Sequence, residues 1–201
     1  MSNSDPAPNP GRLARLWRAL RSPSVRYSLL GLLTAGFLAG IVFWGGSHTV
    51  LAWTNTEKFC ISCHEMRDNV YEEYKETIHY TNRTGVRAVC SDCHVPKAWG
   101  PMMVRKVAAT RELYGKAVGS IDTREKFEAK RLQLAEREWK RMRANDSLEC
   151  RNCHSLASMD PEKQKQRAKR SHTLALESGE TCIDCHQGIA HHKPNGMTEE
   201  E

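Results

Sequence analysis

Eight cysteines in a chain of 201 residues fall into four copies of one pattern, with none left over. The copies are Cys60-Ile-Ser-Cys63-His64, Cys90-Ser-Asp-Cys93-His94, Cys150-Arg-Asn-Cys153-His154 and Cys182-Ile-Asp-Cys185-His186. Two thiols separated by two residues and followed at once by an imidazole form the attachment signal for c-type haem. The thiols bond to the two vinyl groups of one macrocycle, and the adjacent imidazole sits beneath the iron. A Cys-x-x-Cys pair can also serve zinc or dithiol redox chemistry. Neither use requires a histidine after every second cysteine, yet all four copies have one. The chain is therefore expected to hold four covalent haems, with His64, His94, His154 and His186 as axial ligands.

The first cysteines stand at 60, 90, 150 and 182, so the motifs form two close pairs separated by a longer stretch. Each pair encloses one further histidine, His79 or His172, and His191 with His192 follows the last motif. This repeated placement makes His79, His172 and His191 candidate distal ligands. Met66 lies two residues after His64 and offers the first iron a thioether, which would raise its potential relative to bis-histidine ligation. A methionine at that position is equally readable as packing.

Redox centres need a location, and the N-terminal third supplies one. No Asp, Glu, Lys or Arg occurs from Tyr27 through Thr56, and an apolar helix over 27–53 exceeds the ~30 Å hydrocarbon layer of a bilayer. Residues 1–26 carry Arg12, Arg15, Arg18, Arg21 and Arg26 against Asp5 alone. That asymmetry keeps the N-terminus in the cytoplasm and sends the haem domain across the inner membrane into the periplasm. A cleaved signal peptide would have a shorter apolar run and a small-residue cleavage site. The basic excess is concentrated before the span, since the remainder has 25 basic and 23 acidic residues. Nucleic acid is thereby excluded as a partner.

After the anchor, residues 54–201 must enclose four haems, and aromatics make up only 7% of the chain. The expected fold is mainly α: a single transmembrane helix and a small multihaem cytochrome c domain whose core is the haems themselves. Its divisions read as 1–26 basic leader, 27–53 anchor, 54–120 first di-haem half, 121–145 connecting helix, 146–194 second di-haem half and 195–201 tail. A helix is expected within Lys97–Gly119, beginning near Pro101. Asp122 and Glu125 read as a capping box opening a helix to about Ala144, its charges mostly solvated. Pro161–Arg170 reads as a polar surface helix or loop.

An anchor followed by four such motifs resembles the NapC/NirT family of membrane-bound tetrahaem quinol dehydrogenases, closest to the periplasmic nitrate reductase branch. The stretches that carry the resemblance are FCISCHEMRDNVYEEYKETIHYTNRTGVRAVCSDCHVPK, the segment from VRK to ELY, DSLECRNCH and GETCIDCHQGIAHHKP. The resemblance implies oxidation of membrane quinol near the first haem and transfer to a periplasmic terminal reductase, nitrate reductase foremost, with a nitrite-reducing system as sister. It implies His79 on the fourth haem and His191 on the third. For the second haem it offers Lys106, which must lose its proton to bind iron, with His172 as the imidazole alternative. Glu112, on the segment after Lys106, is the candidate proton acceptor. Membrane lipid is a further partner, and a homo-oligomer is compatible with the sequence. The other function classes are a passive shuttle without a quinol site and a terminal reductase, for which the domain is short. Changing both cysteines of any one motif to Ala should lower covalent haem from four to three per chain, counted by pyridine haemochrome.

Overall fold

The computed structural model describes residues 11–21 and 25–197, in two units that meet between Val50 and Leu51. The basic leader and the tail are described only over 11–21, 25–26 and 195–197; their other residues, Asp5 included, lie outside the described residues. Every regular element among the described residues is a helix.

The first unit contains α1, Arg12–Arg21, and most of α2, Leu29–Trp53. With 25 residues, α2 is about 38 Å long. It has no buried residue, and large apolar side chains such as Leu30, Phe37, Phe43 and Trp44 are exposed along it. A predominantly apolar exposed surface of that length is long and apolar enough to cross a bilayer.

The second unit runs from Leu51. Short helices α3 (Glu57–Cys60), α4 (Glu72–Lys75) and α5 (Cys90–His94) lie before the two long ones, with a π-helical turn at Met66–Tyr71. The first long helix, α6, spans Trp99–Ala117, starting two residues before the expected Pro101. Pro101 is tolerated in the first turn because its missing N–H has no intrahelical acceptor there. Gly119 adopts φ 61° and lies against Asp122, so a Cβ at that position would collide with the Asp122 carboxylate. The second long helix, α7, spans Arg124–Ala144. Its N-cap is Thr123, whose hydroxyl accepts from the Lys126 N–H, while Asp122 instead pairs with the Lys126 ammonium. The cap is therefore one residue later than the sequence pattern suggested.

After α7 the chain turns through Asp146 and Ser147, both with positive φ, into α8, Leu148–Arg151. Ser147 is fully buried, and its hydroxyl accepts from the Ile183 N–H in α10, Cys182–Cys185. Between these elements lie two 3-10 turns and α9, Gln166–Ser178, which ends at Gly179 with φ 74°. The sequence reading stopped the Pro161–Arg170 element short: α9 continues eight residues beyond Arg170.

Only Tyr74, Phe127, Met142 and Ile183 form a buried hydrophobic core among the described residues. What ties the second unit together is ionic, and most of it originates on α7. Arg131, 7% exposed, grips buried Glu73 with both terminal nitrogens (Nη1–Oε1 2.7 Å) and donates to the His192 carbonyl at 2.7 Å. The Glu73 carboxylate also accepts the His192 N–H at 2.8 Å. Burial alone would raise the Glu73 pKa, but Arg131 and the His192 amide hold it below the ordinary value. Arg141 reaches Glu149 at 2.7 Å and the Cys93 carbonyl at 3.0 Å, and Arg143 pairs with Asp184. The expectation that the charges of α7 are mostly solvated fails at Arg131 and Arg141, each of which meets a buried acid on another segment, while Arg143 stays exposed. Removing one partner strands a buried charge. Arg131→Met should therefore lower unfolding free energy by about 3–5 kcal/mol. Combining it with Glu73→Gln should recover much of that loss, measured by denaturant titration of the haem-loaded protein.

Candidate functional site

The eight cysteines are all free thiols, so no disulfide competes with haem attachment. Each motif is built around one turn of helix. Cys60 closes α3, whose N-cap Thr56 accepts from the Phe59 N–H. In the second and fourth motifs the residue before the second cysteine is an aspartate, and its carboxylate caps the turn: Asp92 accepts from the Val89 N–H and Asp184 from the Thr181 N–H, both at 2.8 Å. Buried acids flank the other two motifs. Glu65 is held by Lys116 at 3.0 Å and Glu149 by Arg141 at 2.7 Å.

The motifs stand next to one another in chain order. Cys60 lies beside Cys90, Cys93 has Cys150 and Cys153 near by, and Cys150 neighbours Cys182.

Three imidazole pairs accompany this row. His94 and His191 lie with ring centres 6.1 Å apart and planes 22° from parallel. His79 and His154 are also 6.1 Å apart but cross at 81°, and His172 and His186 are 5.9 Å apart at 45°. A metal between two imidazoles would separate their centres by ~6 Å, taking ~2 Å for each metal–nitrogen bond and ~1 Å from nitrogen to ring centre. All three spacings therefore fit an iron held from both sides.

Hydrogen bonding sets which nitrogen carries the hydrogen in three of these rings. The His94 Nδ1 donates to Glu138 Oε1 at 2.8 Å, His191 Nδ1 to the Val70 carbonyl at 3.1 Å and His172 Nδ1 to Gln164 Oε1 at 2.7 Å. These oxygens only accept, so Nδ1 carries the hydrogen and Nε2 keeps the lone pair a metal requires. Burial, with His94 close by, pushes His191 down to about 4, and burial also lowers His186. Both rings are thus neutral at pH 7. The His79 Nδ1 is buried without a hydrogen-bond partner. Its backbone is fixed by the Tyr74 hydroxyl, which reaches the carbonyls of His79 and Ala88. Burial would raise the Glu138 carboxyl, yet the bonds from His94 and Arg141 hold it at about 2, so it is ionised.

These pairings differ from those the resemblance implied. His79 faces His154 of the third motif, not His186 of the fourth, and His191 faces His94 of the second, not His154. Lys106 does not take the place opposite His94. Its amine, lowered in pKa by burial, donates to the Thr54 hydroxyl at 2.9 Å and carbonyl at 3.2 Å. His172, its alternative there, faces His186. The pairs use every motif histidine but His64, whose Nε2 lies 3.5 Å from Glu65. Met66 opens the π-helical turn, and Glu112 is an exposed carboxylate paired with Arg105 at 2.9 Å. Glu138, Gln164, Glu73 and Arg131 were missed from sequence. Nothing in a run such as Lys130–Arg143 distinguishes the acid that will meet an imidazole from one that meets water.

Comparison with known proteins supplies the family. Residues 22–196 match the NapC/NirT cytochrome c family, N-terminal region. The denitrification system component NirT of Stutzerimonas stutzeri is 70% identical over 182 residues, covering 90% of each chain. The cytochrome c-type protein NapC of Escherichia coli strain K12 is 55% identical over 195 residues, 97% of this chain and 96% of that one. A tetraheme cytochrome-c type protein of Allochromatium vinosum is 50% identical over 173 residues, 86% of this chain and 93% of that one. The chain belongs to the NapC/NirT cytochrome c family, and it is an electron-transport protein that carries four c-type haems on its four Cys-x-x-Cys-His motifs.

Proposed function

We propose that this protein is anchored by α2 in the cytoplasmic membrane, takes electrons from membrane quinol, and delivers them in the periplasm to a reductase of a nitrogen oxide, nitrate foremost. The observation that carries this reading is the row of four motifs in chain order, which begins directly after α2 and ends near the C-terminus. Each bound haem supplies one-electron redox chemistry, so two-electron quinol chemistry is divided into single transfers. The relative named as a denitrification component supports a nitrogen oxide as the final acceptor.

The residues that would hold the haems follow from the pairs. We assign Cys90, Cys93, His94 and His191 to the second haem, Cys150, Cys153, His154 and His79 to the third, and Cys182, Cys185, His186 and His172 to the fourth. Cys60 and Cys63 hold the first, with His64 or Met66 on its iron. Leaving that haem without a second imidazole is consistent with an entry point, since a vacant or weakly held face can admit substrate. On α6, Trp99, Val107 and Tyr114 expose an apolar face suited to a quinol tail, and Lys106 of the same helix lies near Cys60. Glu112, exposed on the same helix, is the carboxylate assigned to take up the protons that quinol releases.

Soluble quinol analogues should reduce all four haems of the purified protein, followed in the Soret band; no reduction would remove the quinol step. Glu112→Gln should slow that reduction several-fold without altering the haem spectra. His191→Met and His79→Met should each change one low-spin signal in low-temperature EPR, whereas Lys106→Met should leave the signals of all bis-histidine haems in place. Among the three described imidazole pairs, the His94 ring donates to a carboxylate, which raises its basicity and favours the ferric state. Glu138→Gln should therefore move one of the four components of a potentiometric titration upward and leave the other three where they were.

A further inference from the structure

The arginines before the span were read above as a topology signal. That rule needs only positive charge within a short distance of the membrane end, in any arrangement. It does not account for the apolar residues interleaved with them. In α1, Arg12–Arg21, Leu13, Leu16 and Trp17 follow an i, i+3, i+4 pattern and share one face, while Arg12, Arg15 and Arg18 take the opposite side. The apolar face is turned outward: Leu13 is 83%, Leu16 59% and Trp17 58% exposed. An apolar stripe of that kind on a short helix calls for a cover.

Charge and position identify the cover. Three arginines backing a leucine–tryptophan face complement a layer that is anionic outside and apolar beneath, and guanidinium groups bind phosphate in paired hydrogen bonds. A helix so rich in arginine cannot enter the hydrocarbon, but it can lie at the boundary. Its place in the chain puts it there, since α1 ends at Arg21 and the span begins at Leu29 within the same unit. We infer that α1 is a surface-lying helix that binds anionic phospholipid, with Leu13, Leu16 and Trp17 in the acyl boundary and Arg12, Arg15 and Arg18 on lipid phosphates. The N-terminal segment thus has a lipid-binding role in addition to orienting the span.

Hydrogen–deuterium exchange of the full haem-loaded chain tests this in nanodiscs of phosphatidylcholine alone and of phosphatidylcholine mixed with phosphatidylglycerol. Amides of α1 should exchange on the order of a hundredfold more slowly in the anionic discs, since three arginines near such a surface each add to the attraction. The difference should collapse at high salt, where charges are screened. Changing Arg12, Arg15 and Arg18 together to Gln should abolish it, with haem content and exchange within 51–197 unchanged. Equal exchange in the two discs would overturn the inference. If α1 were protected equally in both, its cover would be protein; if open in both, it would have none. The comparison on the unaltered chain stands even if the variant inserts poorly. It is also independent of whether quinol reduces the haems.

Discussion

Imidazole rings held 5.9–6.1 Å apart, centre to centre, constrain the second unit more than any other contact. Two of the three pairs join a histidine of the first motif pair to one of the second, so the stretches that carry those motif pairs cannot be separate domains. The polypeptide contributes little apolar interior of its own, only Tyr74, Phe127, Met142 and Ile183 among the described residues. A chain of this size with so small a core needs another source of cohesion. Haem provides it: each macrocycle is a large apolar body that two thioether bonds to a Cys-x-x-Cys-His motif would tie to the chain.

The ionic ties of α7 complete that design. Arg131 and Arg141 each bind a buried acid, Glu73 against the backbone of His192 and Glu149 next to Cys150. Such pairs offset their own desolvation only when their geometry is satisfied by further hydrogen bonds, and here backbone carbonyls of His192 and Cys93 supply them. Specificity of register, more than net stability, is what these contacts add. They fix where a helix otherwise free to slide must sit, and thereby where Glu138 meets His94. A carboxylate stands behind His94, an amide oxygen behind His172 and a backbone carbonyl behind His191.

Local signals were legible, and their limits are instructive. The α7 helix was readable from its periodicity, but its cap fell on Thr123 because Asp122 was drawn to Lys126. Most of α9 was not, since its composition is that of a solvated segment and only the fold gives it a partner, His186 for His172. The resemblance implied His79 on the fourth haem and His191 on the third, and in the structure their rings lie beside those of His154 and His94. Lys106 carries the lowered basicity a metal ligand requires, but its amine is committed to Thr54.

The amino-acid sequence by itself determined the number of haems, the residues that attach them, the apolar span and the basic segment before it. Each of these is written in contiguous residues, where covalent spacing or one helix repeat contains the whole signal. Only the tertiary structure decided which imidazoles face each other, which nitrogen of each keeps its lone pair, and which of many similar charges are buried. Those outcomes depend on partners such as Val70 and His191, 121 residues apart, or Glu73 and Arg131, 58 apart. No local propensity encodes a contact of that separation; it exists only once the chain has closed around its haems.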